Sequence, residues 1–348
     1  MRFFCTVLLV IALAGSMAGQ TAFSEAQQKF TSELAAKFQT LETKKAAAGP
    51  GEEGWLFFAG ELRLLSLSRF WGDEAAKVSR ARNPELANPL PAILDFQHQL
   101  KARGIHLVVV PVPPKATIYP EKIVPGFDLS SSDPAPVLRQ FYGELRAAGV
   151  DVLDLSPVLI QNREHPRGPV FCKTDSHWSG IGCVLAAQAI AEHVRRKLAP
   201  PAARKEYVSD WNEVQINGDL AGLLSRDARK PGPEKISVQS VSEKGTGAVV
   251  ESDPNSPVLL LGDSHTLVYH DFLAERAGLL DQLALELGFA PDLIGTRGSG
   301  ATPVRITLYR RSLRDPGYLA KKKVVVWCFA AREFTEATEG WAKAPVAK

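Results

Sequence analysis

The chain has 348 residues, 45% hydrophobic and 23% charged, which excludes a small disulfide-stapled scaffold and a disordered or collagen-like chain and allows a packed core. Its 41 Lys and Arg against 38 Asp and Glu give a formal charge of +3, too balanced to mark a partner as nucleic acid or acidic lipid. At roughly 150 residues per domain, this length allows two domains or one decorated α/β domain.

Met1 to Gln20 carries a single charge, Arg2, ahead of the apolar run Val7 to Ala14 and the small-residue stretch Gly15-Ser16-Met17-Ala18. This is the pattern of a secretory signal, with Ser16 and Ala18 at −3 and −1 of a cleavage point after Ala18. The uncharged stretch Phe3 to Ala18 leaves an uncleaved inner-membrane anchor as the alternative. Either way, export to the periplasm is expected. Cys5 falls inside this segment, leaving Cys172, Cys183 and Cys328. That odd number in an oxidising compartment allows at most one bridge, with Cys172 and Cys183 as the pair considered.

Ser24 and Gln27 form a capping-box pattern, and Phe30, Leu34, Phe38 and Leu41 recur at helical spacing up to Lys45. The Pro- and Gly-containing stretch Ala46 to Gly54 then breaks the helix, so residues 19–53 are expected to be an amphipathic helix and linker. Further on, a helix over Ala92 to Arg103, a strand over Ile105 to Val110 and a Pro-rich turn at Pro111 to Pro114 are predicted. A helix over Pro136 to Ala148 and a strand over Val150 to Leu155 follow, then a long helix over Trp178 to Leu198. Ser225 to Pro257 is taken as a loop or small β insertion. A strand over Val258 to Leu261, a helix over Leu267 to Leu287 and a strand over Val324 to Phe329 complete the pattern. Short apolar strands alternating with helices predict an α/β fold whose mainly parallel sheet is covered on both faces, with ligands at the carboxyl ends of the strands. The basic runs Arg195-Arg196-Lys197 and Lys321-Lys322-Lys323 are expected to be solvated element ends.

Three segments can carry chemistry. In Leu259-Leu260-Leu261-Gly262-Asp263-Ser264 an apolar strand runs into a turn and a predicted helix, which exposes Ser264 Oγ and offers backbone N–H groups and a helix dipole to an oxyanion. The same tripeptide could equally be a plain capped turn. In Thr174-Asp175-Ser176-His177-Trp178, Asp175 and His177 are two apart, so in an extended segment they share a face and the carboxylate can orient the imidazole. A structural Asp-His pair remains the alternative. No third ligand falls at helix or hairpin spacing, so no metal is expected. The third segment, Gly54 to Phe58 with Glu61-Leu62-Arg63, taken alone is aromatic core packing.

Taken in order, Gly54-Trp55-Leu56-Phe57 with Glu61-Leu62, Pro111 to Lys115 with Tyr119 to Lys122, Thr174 to Trp178, Gly262-Asp263-Ser264, and Trp327 with Arg332-Glu333 resemble the SGNH-hydrolase-like family of alginate O-acetyltransferases, the AlgJ and AlgX type. The resemblance runs over residues 54 to 333. It implies an α/β/α sandwich over residues 54–340 in which Ser264 is the acyl-accepting nucleophile, His177 its base and Asp175 the residue that orients the base. The Asp-His pair precedes the serine, a permuted order that the same geometry permits, since roles and space define a triad. Arg297, in Arg297-Gly298-Ser299-Gly300, together with Gly262 and Lys115, are candidates for oxyanion or substrate binding, and His265 stands where the family often has an apolar residue. With little chain after Glu333, an AlgJ-like arrangement without an appended carbohydrate-binding module is expected. The implied activity is transfer of an acetyl group onto an exported polysaccharide, with a membrane-bound O-acyltransferase as acetyl supplier and no cofactor. A carbohydrate esterase with the same triad, or a non-catalytic glycan-binding scaffold, would carry the same residues.

Overall fold

Three long apolar runs stand at the centre of the molecule. The computed structural model describes residues 24–199 and 204–348. In it, β3 (His106–Val112), β7 (Val258–Gly262) and β9 (Val324–Ala330) lie side by side, with β4 (Asp151–Val152) and β8 (Asp292–Gly295) at the edges. The order is β4-β3-β9-β7-β8 and every pair is parallel, with Val109 opposite Trp327 and Trp327 opposite Leu261. Val108, Val109, Val110, Leu259, Leu260, Leu261 and Val324 to Phe329 are all buried, as expected of strands covered on both faces. Four of the five strands match predicted ones in place. Asp292–Gly295 and the Thr302–Arg314 helix went unread, because a four-residue edge strand and a helix of negative mean hydropathy give little periodic signal.

The capping box at Ser24 forms as expected: Gln27 N donates to Ser24 Oγ at 3.2 Å and Ser24 N to Gln27 Oε1 at 2.8 Å. The helix it starts, Glu25–Thr43, lies on the body of the molecule, burying Phe30, Leu34 and Leu41, with the Phe30 ring 4.5 Å from that of Phe127. The expected linker holds a strand, β1 (Ala48–Pro50), paired antiparallel with β2 (Leu56–Phe58). The signal or anchor at residues 1–18 lies outside the described residues. Among those described, no helix is long and apolar enough to cross a membrane.

Four further expectations are corrected. The insertion begins earlier than Ser225, since β5 (Tyr207–Ile216) forms a ten-residue antiparallel hairpin with β6 (Glu234–Glu243). The helix expected over Leu267 to Leu287 exists only at Leu279–Leu287. Upstream, Tyr269, Leu273 and Arg276 have left-handed backbones at φ 64°, 66° and 59°. There Tyr269 Oη is buried and donates to Trp178 O at 2.8 Å, a tertiary bond that a continuous helix would not supply. Lys322 is not solvated: it is 1% exposed, with Nζ 2.8 Å from Asp292 and donating to the Pro254 and Ser256 carbonyls. The three described cysteines are free and buried, so the 172–183 bridge is not formed.

Candidate active site

The carboxyl ends of β3, β7, β8 and β9 face the same end of the sheet, and each leads into a segment singled out in the sequence. At the end of β7, a Cβ on Gly262 would stand 1.9 Å from the Cys328 carbonyl oxygen, so only glycine lets β7 close onto β9 at this level. The chain then turns at Asp263, whose Oδ1 accepts from His265 N at 2.9 Å and whose Oδ2 accepts from Ala330 N at 2.7 Å. Burial works to raise this carboxyl, but the His265 ring, the Arg332 charge and the Ala330 N–H outweigh it and hold it at about 2. Ser264–Thr266 is a single 3₁₀ turn. No helix dipole of useful length therefore points at Ser264, and the donors for an oxyanion have to be individual N–H groups.

The loop before the Gly180–Arg195 helix comes back to Ser264, closed at its base by a bridge between Phe171 and Trp178. Asp175 Oδ1 accepts from His177 N at 3.0 Å and lies 2.6 Å from His177 Nδ1, while His177 Nε2 lies 2.8 Å from Ser264 Oγ. Because a carboxylate can only accept, Nδ1 carries the proton and Nε2 is left to accept from the Ser264 hydroxyl. Burial again works to raise Asp175, yet the hydrogen bond and charge of His177 and the N–H groups of Asp219 and His177 hold it at about 2. Asp175 thus stays ionised, which fixes the tautomer in which Nε2 is a base.

Several interactions brace this loop. Glu234, at the start of β6, accepts from Lys173 N, Thr174 N and Thr174 Oγ1, each at 2.8 Å. Asp219 accepts from Ser176 N at 2.7 Å and Ser176 Oγ at 2.6 Å and donates its own N–H to Asp175 Oδ2 at 2.9 Å. Lys115 is 1% exposed, and its ammonium donates to the carbonyls of Leu56, Asp175 and Lys173 at 2.9, 2.7 and 3.3 Å. Three carbonyls use all three of its protons, so Lys115 is a clamp between β2 and the loop rather than an oxyanion or substrate ligand. The Gly54 to Phe58 segment packs as expected and also supplies Leu56 to this clamp, while Glu61 pairs with Arg332 at 3.0 Å beyond β9.

Of the other predicted residues, Gly262 sits inside the strand ladder with its carbonyl accepting from Thr296 N at 3.0 Å, a packing role and not a binding one. Arg297 is exposed, its guanidinium 4.6 Å above the Phe272 ring, and Phe272 meets the His177 ring edge-on at 5.7 Å. Gly300 approaches the turn most closely: a Cβ there would lie 3.0 Å from Asp263 Cβ and 3.2 Å from Asp263 N. Its carbonyl accepts from Trp327 Nε1 at 2.8 Å, and the neighbouring Ser299 Oγ donates to Glu333 Oε2 at 2.5 Å. Among the described residues, the N–H groups of Ser264 and Gly300 make no hydrogen bond.

Phe272, Asp219 and Glu333 are site residues that the sequence reading did not assign. Phe272 fell inside the predicted helix, and Asp219 lies too far along the chain for spacing to link it to Asp175. Glu333 was a motif residue with no role, and burial, against the Arg332 charge and the Ser299 hydrogen bond, pushes it up to about 7. His265 is 1% exposed with its Nδ1 3.2 Å from Asp263 Oδ1, its Nε2 unpartnered and its ring 4.8 Å from that of His177. Asp175, His177 and Asp219 also place three potential cation ligands within 4.8 Å of one another. Their oxygens already accept from His177, Ser176 and the Asp219 N–H, so these carboxylates are satisfied by hydrogen bonds alone.

This arrangement has known relatives. A Pseudomonas putida protein named "Probable alginate O-acetylase AlgJ" is 27% identical over 292 residues, covering 81% of this chain and 69% of the relative. The Pseudomonas aeruginosa "Alginate biosynthesis protein AlgX" is 32% identical over 258 residues, 68% of this chain and 48% of that one. The solved O-acetyltransferase domain of Pseudomonas putida AlgJ superposes with a TM-score of 0.62 at 25% identity, over 83% of this chain and 92% of that domain. Pseudomonas aeruginosa AlgX shares the fold, with a TM-score of 0.59 at 18% identity over 88% of this chain and 66% of that one. Residues 49–293 match the family described as SGNH hydrolase-like domain, acetyltransferase AlgX, and the chain belongs to that family.

Proposed function

We propose that this chain transfers acetyl groups onto the hydroxyls of an exported polysaccharide through an ester on Ser264. The observation that carries the reading is the continuous line Asp175–His177–Ser264, with 2.6 Å and 2.8 Å between successive polar atoms. In the first half-reaction Ser264 Oγ attacks the donor's acetyl carbonyl as its proton passes to His177 Nε2. The Ser264 and Gly300 N–H groups stand beside the turn where the tetrahedral oxyanion forms, and the leaving alcohol takes the proton from His177. In the second half-reaction a sugar hydroxyl gives its proton to His177 and bonds to the acetyl carbon. The Ser264 Oγ–acyl bond breaks, and Oγ recovers the proton.

The alginate O-acetylases among the relatives support a polysaccharide acceptor. With a net charge of only +3, binding an acidic polymer would depend on local cations such as Arg297. The apolar N-terminal run supports export to the periplasm, cleaved or anchored at the inner membrane. Acetyl groups would then have to cross that membrane, which calls for a membrane-bound O-acyltransferase as supplier.

The test is to give the purified chain p-nitrophenyl acetate and an alginate oligosaccharide and follow both p-nitrophenolate release and acetylated product by mass spectrometry. Wild type is expected to show a burst and acetylated oligosaccharide, and Ser264→Ala neither. Equal release and equal transfer by the two proteins would end the proposal, and acetate as the sole product would make the chain an esterase.

A further inference from the structure

We infer that Phe272, held in place by Arg297, is the residue that decides whether the Ser264 acyl group goes to a sugar hydroxyl or to water. This inference rests on the acyl-transfer reading and adds a determinant that the triad itself does not contain. A Ser-His-Asp triad delivers an acyl group to whatever hydroxyl reaches the base, so a transferase has to limit water around His177 Nε2 while the ester waits. Phe272 is the side chain placed to do this. Its ring stands edge-on to the His177 imidazole, with centroids 5.7 Å apart and planes at 73°. One of its two faces is covered by the Arg297 guanidinium at 4.6 Å.

Two features suggest that the pair does more than fill space. Arg297 is exposed and makes no ion pair or hydrogen bond among the described residues; its guanidinium lies over the Phe272 ring. The segment that carries Phe272 also departs from the helix its sequence predicts. It places three non-glycine residues, Tyr269, Leu273 and Arg276, in left-handed backbone conformations within eight positions of one another. Such conformations are strained for a residue with a Cβ and tend to persist where a loop holds a side chain at a working site. Here the strained loop brings an apolar ring onto the base, and Phe272, Leu273 and Ala274 stay partly exposed beside it. A pyranose ring has apolar C–H faces that pack on an aromatic side chain, whereas water gains nothing from one. The same ring that excludes water therefore favours the sugar.

The experiment reads the ratio of transferred acetyl to free acetate per acyl-enzyme formed, with p-nitrophenyl acetate as donor and an alginate oligosaccharide as acceptor. Because the ratio is normalised to the burst, a variant that acylates more slowly still reports it. Phe272→Ala is expected to lower the ratio about tenfold by admitting water, and Phe272→Leu, which keeps an apolar cover, to lower it less. Arg297→Gln removes an exposed side chain from no core, so it tests the idea even if Phe272→Ala does not fold; read at saturating acceptor, where lost affinity for an acidic oligosaccharide no longer enters the ratio, about a threefold drop is expected from a looser ring. An unchanged ratio in Phe272→Ala or, failing that protein, in Arg297→Gln, with a normal burst, would overturn this inference and leave the acyl-transfer reading standing. No burst in the wild type would remove both.

Discussion

The tripeptide Asp-Ser-His occurs twice at the site, as Asp175-Ser176-His177 and as Asp263-Ser264-His265, and the two copies make the same local hydrogen bonds. In each, the first aspartate oxygen accepts from the histidine N–H two residues on, at 3.0 Å in one copy and 2.9 Å in the other. In each, the same oxygen lies by the histidine Nδ1, at 2.6 and 3.2 Å. What differs is the surroundings. Ser176 is held by Asp219, whereas Ser264 lies against an imidazole; His177 reaches a hydroxyl, whereas His265 is buried with its Nε2 unpartnered. In the proposed reaction one copy thus contributes the base and the other the nucleophile. The remaining serine and histidine serve structure, so the function of such a motif follows from what the rest of the chain places opposite it.

That comparison can be broken or sharpened by substitution. The largest expected contrast is between the serines: Ser264→Ala should reduce the p-nitrophenyl acetate burst and turnover by about 10⁴-fold, and Ser176→Ala by no more than about tenfold. Comparable losses in both would mean that the geometric assignment of nucleophile is wrong. The aspartates should separate by readout. Asp175→Asn should cost on the order of 10³-fold or more in kcat by favouring the wrong His177 tautomer. Asp263→Ala should lower the unfolding free energy by about 3–5 kcal/mol, because it leaves the partly buried Arg332 with less compensation and strands the N–H groups of His265 and Ala330. A denaturant midpoint unmoved by Asp263→Ala would contradict this.

Two pH effects of opposite sign come next. Glu333, behind the second copy, is raised from an ordinary 4.5 to about 7 when folded. The unfolded chain therefore releases this proton first, and stability is fully present below about pH 4.5 and lost as pH rises through about 7, by roughly 3 kcal/mol. Urea midpoints between pH 4 and 8 should show this decline, and Glu333→Gln should flatten it. Asp175 and Asp263 behave the other way, both being held at about 2 against an ordinary 3.8. Their contribution, about 2 kcal/mol each, is present above pH 3.8 and lost as pH falls toward 2. A shallower acid limb of stability in Asp175→Asn would identify its share.

The parts of the molecule that could be read in advance are those where one short stretch of sequence suffices. The strands around Val108, Leu260 and Val326 declare themselves because a parallel strand buried on both faces is a run of apolar residues. The capped helix after Ser24 declares itself through its cap and its 3.6-residue period. Asp175 and Ser264 stood out through their neighbours. The helix forecast at Leu267 failed for the same reason: apolar spacing there serves a loop pinned by Tyr269, and periodicity cannot tell the two apart. Lys115 and Lys322 were misjudged because a cation that hydrogen-bonds to carbonyls in the interior has the same letter as one in water.

The sequence by itself therefore determined the parallel sheet, the strand ends at which chemistry collects, and the identity of the three groups in line. The tertiary structure alone decided which Asp-Ser-His supplies which member, that Lys115 is a clamp, that Gly300 rather than a helix terminus meets the nucleophile's turn, and that Phe272 lies on the base. The reason is physical. Burial periodicity and capping act within a few residues, whereas a side chain's partner, and the charge state that partner imposes, depend on groups that only the folded chain brings within about 3 Å.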